Sequence, residues 1–241
     1  MGQKLSVLAL GLIVLAVGLS AMPARAAAPG IGMVTAVDAT GMSGRIIVTT
    51  LGDAVHPHPT LGEEVPFLAA PEPLSLGDLV EFDVVVSAAE ITAVPLRKIA
   101  SGTVITGVFE GNVDATAINP VLIIDATISG KITSNGGTIV ILGNSVIDGK
   151  VDIDNGSTLV IVKTGSVAPK INSKIDSFTR NLIFIRGAEV EGKVTSNQDH
   201  YVLIQNAVIG GKLELLSMPA NGCNVSNNTV TGKVSVPAEC R

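Results

Sequence analysis

The chain has 241 residues, of which 46% are hydrophobic, 15% are charged and only 2% are aromatic, and its formal net charge is −5. The apolar fraction excludes an intrinsically disordered protein, and the length allows one or two domains with sizeable cores. The mild acidity argues against nucleic acid or an anionic membrane as a partner, because neither attracts a negatively charged surface.

Residues 1–26 have the pattern of a secretory signal peptide. The positive charge of Lys4 precedes an apolar run over residues 5–19, and residues 23–26 offer a small-residue cleavage site. We expect cleavage after Ala26 and export to the periplasm, the cell surface or the exterior; a retained anchor helix is the alternative. No later stretch is long and apolar enough to span a bilayer.

Cys223 and Cys240 predict a structural disulfide bond near the C-terminus. An exported chain folds in an oxidising compartment, which favours pairing of its cysteines. A redox-active pair is more often closely spaced, and these two residues are not.

The remaining chain divides near residue 100 into two predicted domains, 27–100 and 101–241. The first contains five short β-rich segments punctuated by Gly and Pro, which predict a small five-stranded closed barrel of the OB type. The predicted strands are Gly32–Val37, Arg45–Thr50, Val65–Leu68, Leu79–Val86 and Glu90–Leu96.

Three segments of this first part, at residues 64–68, 76–84 and 93–96, resemble a cold-shock domain in order and spacing. The resemblance implies an OB barrel that stacks single-stranded nucleic acid on surface aromatic rings. Residues 43–47 read Ser-Gly-Arg-Ile-Ile where that family has its aromatic run. Base stacking needs aromatic faces and a basic groove, so we expect the fold without nucleic-acid binding.

His56 and His58, separated by Pro57, form the most chemically suggestive motif of the first part. Two imidazoles so spaced can face one metal ion. Two ligands are few, however, and no cysteine is near. We therefore predict a solvated, proline-stiffened loop and no cofactor.

The second part is an internal repeat in which a five-residue motif of the type Ile-Asp-Gly-Lys-Val occurs seven times. Successive third positions are 19, 19, 20, 23, 19 and 21 residues apart. These positions are Gly111, Gly130, Gly149, Pro169, Gly192, Gly211 and Gly232.

A period near 20 residues with β-branched strands and no helical periodicity predicts a short parallel β-helix of six to seven turns, and hence an all-β protein. The repeat resembles right-handed parallel β-helix proteins of the pectate-lyase-like kind, and residues 121–167 also resemble bactofilins. The first resemblance implies a surface that acts on polysaccharides. The second implies self-association through β-helix surfaces.

A ladder of lysines follows the motif from turn to turn. It could bind an acidic polysaccharide, or it could be a solvated edge that discourages strand pairing. The predicted ladder contains Lys131, Lys150, Lys170, Lys193, Lys212 and Lys233.

A second strand precedes six of the seven motifs, and in four of these strands consecutive positions are apolar, so both faces of the strand are apolar. Alternation places one set of side chains on the outside, and such a face is normally covered by another element. We expect it to pack against a second copy of the chain or against the barrel. The predicted outer set is Ile139, Ile141, Leu159, Ile161, Leu182, Phe184, Tyr201 and Leu203.

Two functions from different classes remain open. The first is an exported, non-enzymatic structural or binding protein that self-associates, or docks another cell-envelope protein, through the apolar outer face. The second is a carbohydrate-active β-helix that binds or cleaves an acidic polysaccharide along the lysine ladder. Since the repeat contains no local nucleophile–base motif, we expect no catalytic residues.

Overall fold

The computed structural model describes residues 29–50, 60–86, 91–220 and 222–241. The predicted signal peptide and the His56–His58 motif lie outside these residues. The first part forms a closed barrel in the order β1-β2-β3-β5-β4, in which β3 and β5 pair in parallel and the other neighbours antiparallel. Its strands are β1 Gly30–Val37, β2 Gly44–Thr50, β3 Glu64–Phe67, β4 Leu79–Val86 and β5 Ile91–Ala100.

The predicted five-stranded closed barrel is confirmed, and its strands begin and end within a few residues of the predicted positions. Its core is aliphatic apart from Phe67 and Phe82, both of which have no solvent exposure. Asp38 organises the β1–β2 turn by accepting hydrogen bonds from the side chains of Thr40 and Ser43. These bonds lower the pKa of its carboxyl to about 2.

The second part is a parallel β-solenoid of about seven turns, as predicted. Its early strands are β6 Thr103–Phe109, β7 Val113–Thr116, β8 Val121–Ile128, β9 Ile132–Asn135, β10 Thr138–Leu142, β11 Val146–Ile147, β12 Val151–Asp154 and β13 Thr158–Val162. The middle strands are β14 Lys170–Ile171, β15 Ile175–Phe178, β16 Leu182–Arg186, β17 Glu189–Val190, β18 Val194–Asn197 and β19 Tyr201–Gln205. The last strands are β20 Val208–Ile209, β21 Leu213–Leu216, β22 Cys223–Ser226, β23 Thr229–Val230 and β24 Val234–Ser235, and a one-turn 3-10 helix follows at Ala238–Cys240.

Three stacks of parallel strands enclose the solenoid core. The barrel-side sheet contains β22, β19, β16, β13, β10 and the first half of β8. The short-strand sheet contains β23, β20, β17, β14, β11 and the second half of β8. The polar sheet contains β24, β21, β18, β15, β12, β9 and β7.

Aliphatic side chains from all three sheets fill the interior. After each strand of the barrel-side sheet the chain turns a corner through a residue with a left-handed backbone, such as Asp125, Gly187 or Asn206. Gly, Asn and Asp tolerate that conformation best. The motif glycines serve another purpose: a Cβ at Gly149 would meet the backbone carbonyl of Gly130 in the preceding turn.

The structure corrects the predicted repeat in its fourth occurrence. The register pairs Val151 with Ile175 rather than with Ile171, because the loop between β13 and β14 adds residues to this turn. Ile171 packs in the solenoid core in register with Ile147 and Val190, whereas Val167, the first residue of the predicted fourth motif, is 46% exposed in that loop. The prediction that Pro169 is the third position of the fourth motif is therefore wrong, and Ser173 is the residue equivalent to Gly149.

Candidate functional surfaces

The apolar outer face predicted on the barrel-side sheet exists, but half of its predicted residues point the other way. Ile139, Ile141, Leu159 and Ile161 belong to the solenoid core. The outer residues of these strands are their neighbours Val140, Leu142, Val160 and Val162. The other predicted residues, Leu182, Phe184, Tyr201 and Leu203, do lie on the outer face.

The error arises from the length of the corner after each strand. Four residues separate Leu142 from Ile147, whereas three separate the equivalent Arg186 from Val190. The sequence prediction placed the outer residues at one fixed number of positions before each motif. Because the corner after β10 is one residue longer, that prediction is displaced by one residue in β10. The added loop after β13 causes the same inversion in that strand. A shift of one residue moves every side chain of a strand to the opposite face.

The barrel covers this outer face. Met33 and Ile47 of the barrel have no solvent exposure and pack in one cluster with Leu122, Val140 and Phe184 of the solenoid. Of the two partners that the sequence analysis offered for this face, a second copy of the chain or the barrel, the barrel of the same chain covers most of it.

A hydrogen bond from Arg186 of the solenoid also joins the two parts of the chain. The guanidinium of Arg186 donates a hydrogen bond of 2.9 Å to the carbonyl of Gly62 in the barrel, and its carbon lies 5.4 Å from the ring centroid of Phe184. Gly62 has a left-handed backbone, and a Cβ there would collide with that ring. The Phe184 ring therefore occupies the space that any side chain at residue 62 would need, and only glycine fits beside it.

The lysine ladder lies along the start of the polar-sheet strands, with one correction. Lys150 and Lys174 accept equivalent backbone hydrogen bonds, from Ile132 and Val151 of the preceding turns. Lys170 lies instead on the short-strand sheet, where it pairs with Glu191 at 2.6 Å. The corrected ladder is Lys131, Lys150, Lys174, Lys193, Lys212 and Lys233.

Three neighbouring lysines of this ladder are paired with acids of the polar sheet. Lys150 lies 2.6 Å from Asp152, and Asp176 is contacted by Lys174 at 2.5 Å and by Lys193 at 3.3 Å. Burial pushes the pKa of Asp176 upward, but these two ammonium groups outweigh it and leave the pKa below its ordinary value. These lysines are partly neutralised, which speaks against a stripe for an acidic polysaccharide.

A polar groove with a volume of about 460 Å3 runs along the outer face of the polar sheet. Two outward ladders line it, and the misplaced fourth motif hid the pairing of Asp152 with Asp176. The first ladder contains Asp114, Thr133, Asp152 and Asp176. The second contains Thr116, Asn135, Asp154 and Phe178.

The two ends of the solenoid differ. The predicted disulfide between Cys223 and Cys240 is confirmed, and it holds the 3-10 helix Ala238–Cys240 against the last turn. At the other end, β6 pairs only with β8 and β7 only with β9 among the described residues, so each strand has an open edge.

Neither a metal site nor a membrane helix stands out in the described ranges. They contain no group of three or more His, Cys, Asp or Glu residues placed to hold a metal ion. No helix within them is long and apolar enough to cross a membrane.

Comparisons with protein-family models, curated proteins and solved structures gave no match to this chain. The functional argument therefore rests on the surfaces described above.

Proposed function

We propose that this chain is an exported, non-enzymatic structural protein that self-associates through the N-terminal end of its solenoid. The observation that carries the proposal is the difference between the two ends. At the C-terminal end a disulfide anchors the 3-10 helix beside β22, whereas the N-terminal, open end offers β6 and β7 with unpaired edges beside exposed apolar side chains and no such anchor among the described residues.

The open end lacks two of the devices that usually protect strand edges, lysine and proline, although β6 has a register shift between Ile105 and Gly107. Soluble proteins blunt such edges with lysine, proline, bulges or covering segments. No lysine or arginine occurs between Lys98 and Lys131, and no proline between Ser101 and Asn119. Instead, Val108 is 79% and Phe109 37% exposed on β6.

The C-terminal end carries several of these devices. Its strands are short, Pro237 follows the last of them, and Cys240 anchors the terminal 3-10 helix to β22. The edges of β23 and β24 stay unpaired among the described residues. In a head-to-tail stack the anchored helix would obstruct pairing with β22, which favours a dimer in which two open ends meet.

A second copy is the occupant that fits the open end. A two-fold axis places the same edge of each copy antiparallel to the other, and backbone N–H and C=O groups then pair reciprocally. The exposed side chains of Val108 and Ile118, the latter 85% exposed, would be buried by such pairing. The apolar outer face cannot supply the same contact where the barrel covers it.

Export is part of the proposal and has two supports. The N-terminal sequence has the order of charge, apolar run and small residues typical of a secretory signal. Structural disulfides such as Cys223–Cys240 persist in oxidising compartments.

The test is the oligomeric state of the purified chain by light scattering. We expect a dimer that Val108→Lys converts to a monomer, because a charged side chain on the edge strand opposes pairing. Val208→Lys is the matched control: Val208 lies on the same outward ladder in β20, which is paired on both sides, and is 48% exposed. A wild-type monomer at high concentration, or equal effects of both substitutions, would contradict the proposal.

A further inference from the structure

We propose that the disulfide-anchored helix Ala238–Cys240 is an autoinhibitory cap on the C-terminal end of the solenoid. While the helix is in place, this end cannot accept another copy of the chain. Release of the helix lets copies stack head to tail, with the open end of one copy on the C-terminal end of the next. Because stacking uses that same open end, the cap rests on the proposed self-association and adds its regulation.

The inner side chains at both ends of the solenoid are only partly covered. Phe109 of the first turn is 37% exposed, whereas Ile128, the next residue on its inner ladder, has no solvent exposure. Val234 of the last turn is 40% exposed, whereas Leu213, the residue before it on its ladder, has none. Each exposed side chain lacks the neighbouring turn that covers its counterpart. A further turn placed on either end would therefore bury apolar surface.

The first and last turns match each other as successive turns of one chain do. Each of the three sheets carries an inner ladder that runs from the first turn to the last. The first turn contributes Ile105, Phe109 and Val113, and the last turn contributes Val225, Val230 and Val234. Placing the first turn of one copy on the last turn of another would continue all three ladders with apolar neighbours and parallel strands.

The charges of the two ends also favour a head-to-tail contact. The first turn, residues 103–119, carries the exposed carboxylates of Glu110 and Asp114 and no lysine or arginine. The last turn and the helix carry Lys233 and Arg241 against Glu239. In a dimer of open ends the carboxylates of both copies approach each other, whereas in a stack they approach basic groups. A feature of the C-terminal end must therefore hold the stack back if the dimer is to prevail.

The anchored helix lies where it can do so. Thr103 and Cys223 are the first and last residues of one ladder of the barrel-side sheet, so β6 of a following copy would lie beside Cys223. Cys240 is bonded to Cys223, is only 1% exposed and, with Val236, packs in the solenoid core at that point. Since β23 and β24 have unpaired edges among the described residues, removal of the helix would open the whole last turn.

Release requires only the loss of the bond between the two Sγ atoms. Dithiothreitol, a dithiol, supplies two electrons and two protons; the chain then carries two thiols, and the reagent becomes a cyclic disulfide. In dilute solution the released last turn has no neighbour on one side, so we expect it to fray. At higher concentration a second copy takes the place of the helix.

The test is the assembly size of the full chain by sedimentation velocity and negative-stain electron microscopy. We expect the wild type to remain a dimer at every concentration. Cys223→Ser with Cys240→Ser should form linear polymers that lengthen with concentration, since a heterologous contact that does not close on itself propagates. Reduction of the wild type should reproduce these polymers, and reoxidation should dissolve them.

A substitution at the C-terminal end separates the stack from the dimer. Val234→Lys should return the released chain to a dimer, because a charged side chain on the last strand opposes stacking. In the capped chain the same substitution should leave the dimer unchanged, since the dimer contact lies at the other end. Val167→Lys is the matched control: Val167 is 46% exposed in the loop after β13, and the released chain should still polymerise with it.

Two results would overturn the cap. One is a released chain that keeps the wild-type size at every concentration. The other is a polymer that survives Val234→Lys, or that Val167→Lys dissolves equally. A monomeric wild type whose released form still polymerises would instead contradict the proposed dimer alone and leave the cap standing.

Discussion

Individual buried polar residues shape the stability of the solenoid, and Asp199 is the clearest case. Its side chain is 1% exposed and accepts hydrogen bonds from Asn181 at 3.0 Å and from Ser196 at 2.5 Å. Burial raises the pKa of the carboxyl, although hydrogen bonds from Ser177, Ser196 and Asn181 oppose the rise. The folded chain therefore binds this proton at higher pH than the unfolded chain does. The stability from this group is complete below its ordinary pKa of 3.8 and is lost as the pH rises through the raised value.

We predict that Asp199→Asn removes this pH dependence and leaves the melting temperature near neutral pH equal to or above that of the wild type. The amide keeps an acceptor for Asn181 and eliminates the buried charge. Asp199→Ala is the contrast: it leaves the Asn181 amide without this acceptor and should cost about 1–3 kcal/mol. Thermal melts across the acid-to-neutral range measure both. An Asn variant as unstable as the Ala variant near neutral pH would show that the charged carboxylate is required.

The stability of the last solenoid turn depends on the disulfide-bonded 3-10 helix that follows it. β22, β23 and β24 are short and pair with strands on one side only among the described residues, and the disulfide bonds the 3-10 helix at Ala238–Cys240 to β22. The bonded cysteines are 17 residues apart, with a Cα–Cα distance of 4.9 Å.

Replacing both cysteines, Cys223→Ser with Cys240→Ser, should lower the free energy of unfolding by about 3 kcal/mol, as expected for a loop of this length. The loss should be concentrated in the last turn. Hydrogen exchange would then accelerate in β22–β24 while β10 and β13 remain protected. Reduction of the wild type serves as the control and should reproduce the effect. Uniform acceleration across the solenoid would refute a local role.

In the whole molecule, barrel and solenoid share an apolar interface and should unfold together. Gly62→Ala tests this coupling, because the added methyl would meet the Phe184 ring at a residue whose φ is +70°. Gly156→Ala is the matched control: its φ is +77° and nothing lies within 4 Å of the added atom, so it carries only the backbone cost.

We expect Gly156→Ala to cost about 1 kcal/mol and Gly62→Ala about 1–3 kcal/mol more, from strain and overpacking. Calorimetry should show one transition for the control and a broadened or split transition for Gly62→Ala. Equal melting profiles would mean that the contact with Phe184 carries no coupling.

Sequence reasoning succeeded where the signal is local or strictly periodic. The barrel strands, the solenoid repeat and the Cys223–Cys240 bond all follow from alternation, spacing and residue type. It failed where the period changes. The longer corner at Gly143–Asn144 and the loop after β13 inverted two strands and put Lys170 in the place of Lys174. No local pattern distinguishes such an insertion, since Pro169-Lys170-Ile171 imitates the motif.

The sequence by itself determined that this protein is a small barrel followed by a parallel solenoid with one surplus apolar face. β-branched alternation and a period near 20 residues leave few other ways to bury so much aliphatic surface. Only the tertiary structure decided what covers that face and which polar residues share the groove. Both depend on register across turns and on the packing of barrel against solenoid, and these are long-range contacts that a local pattern does not encode.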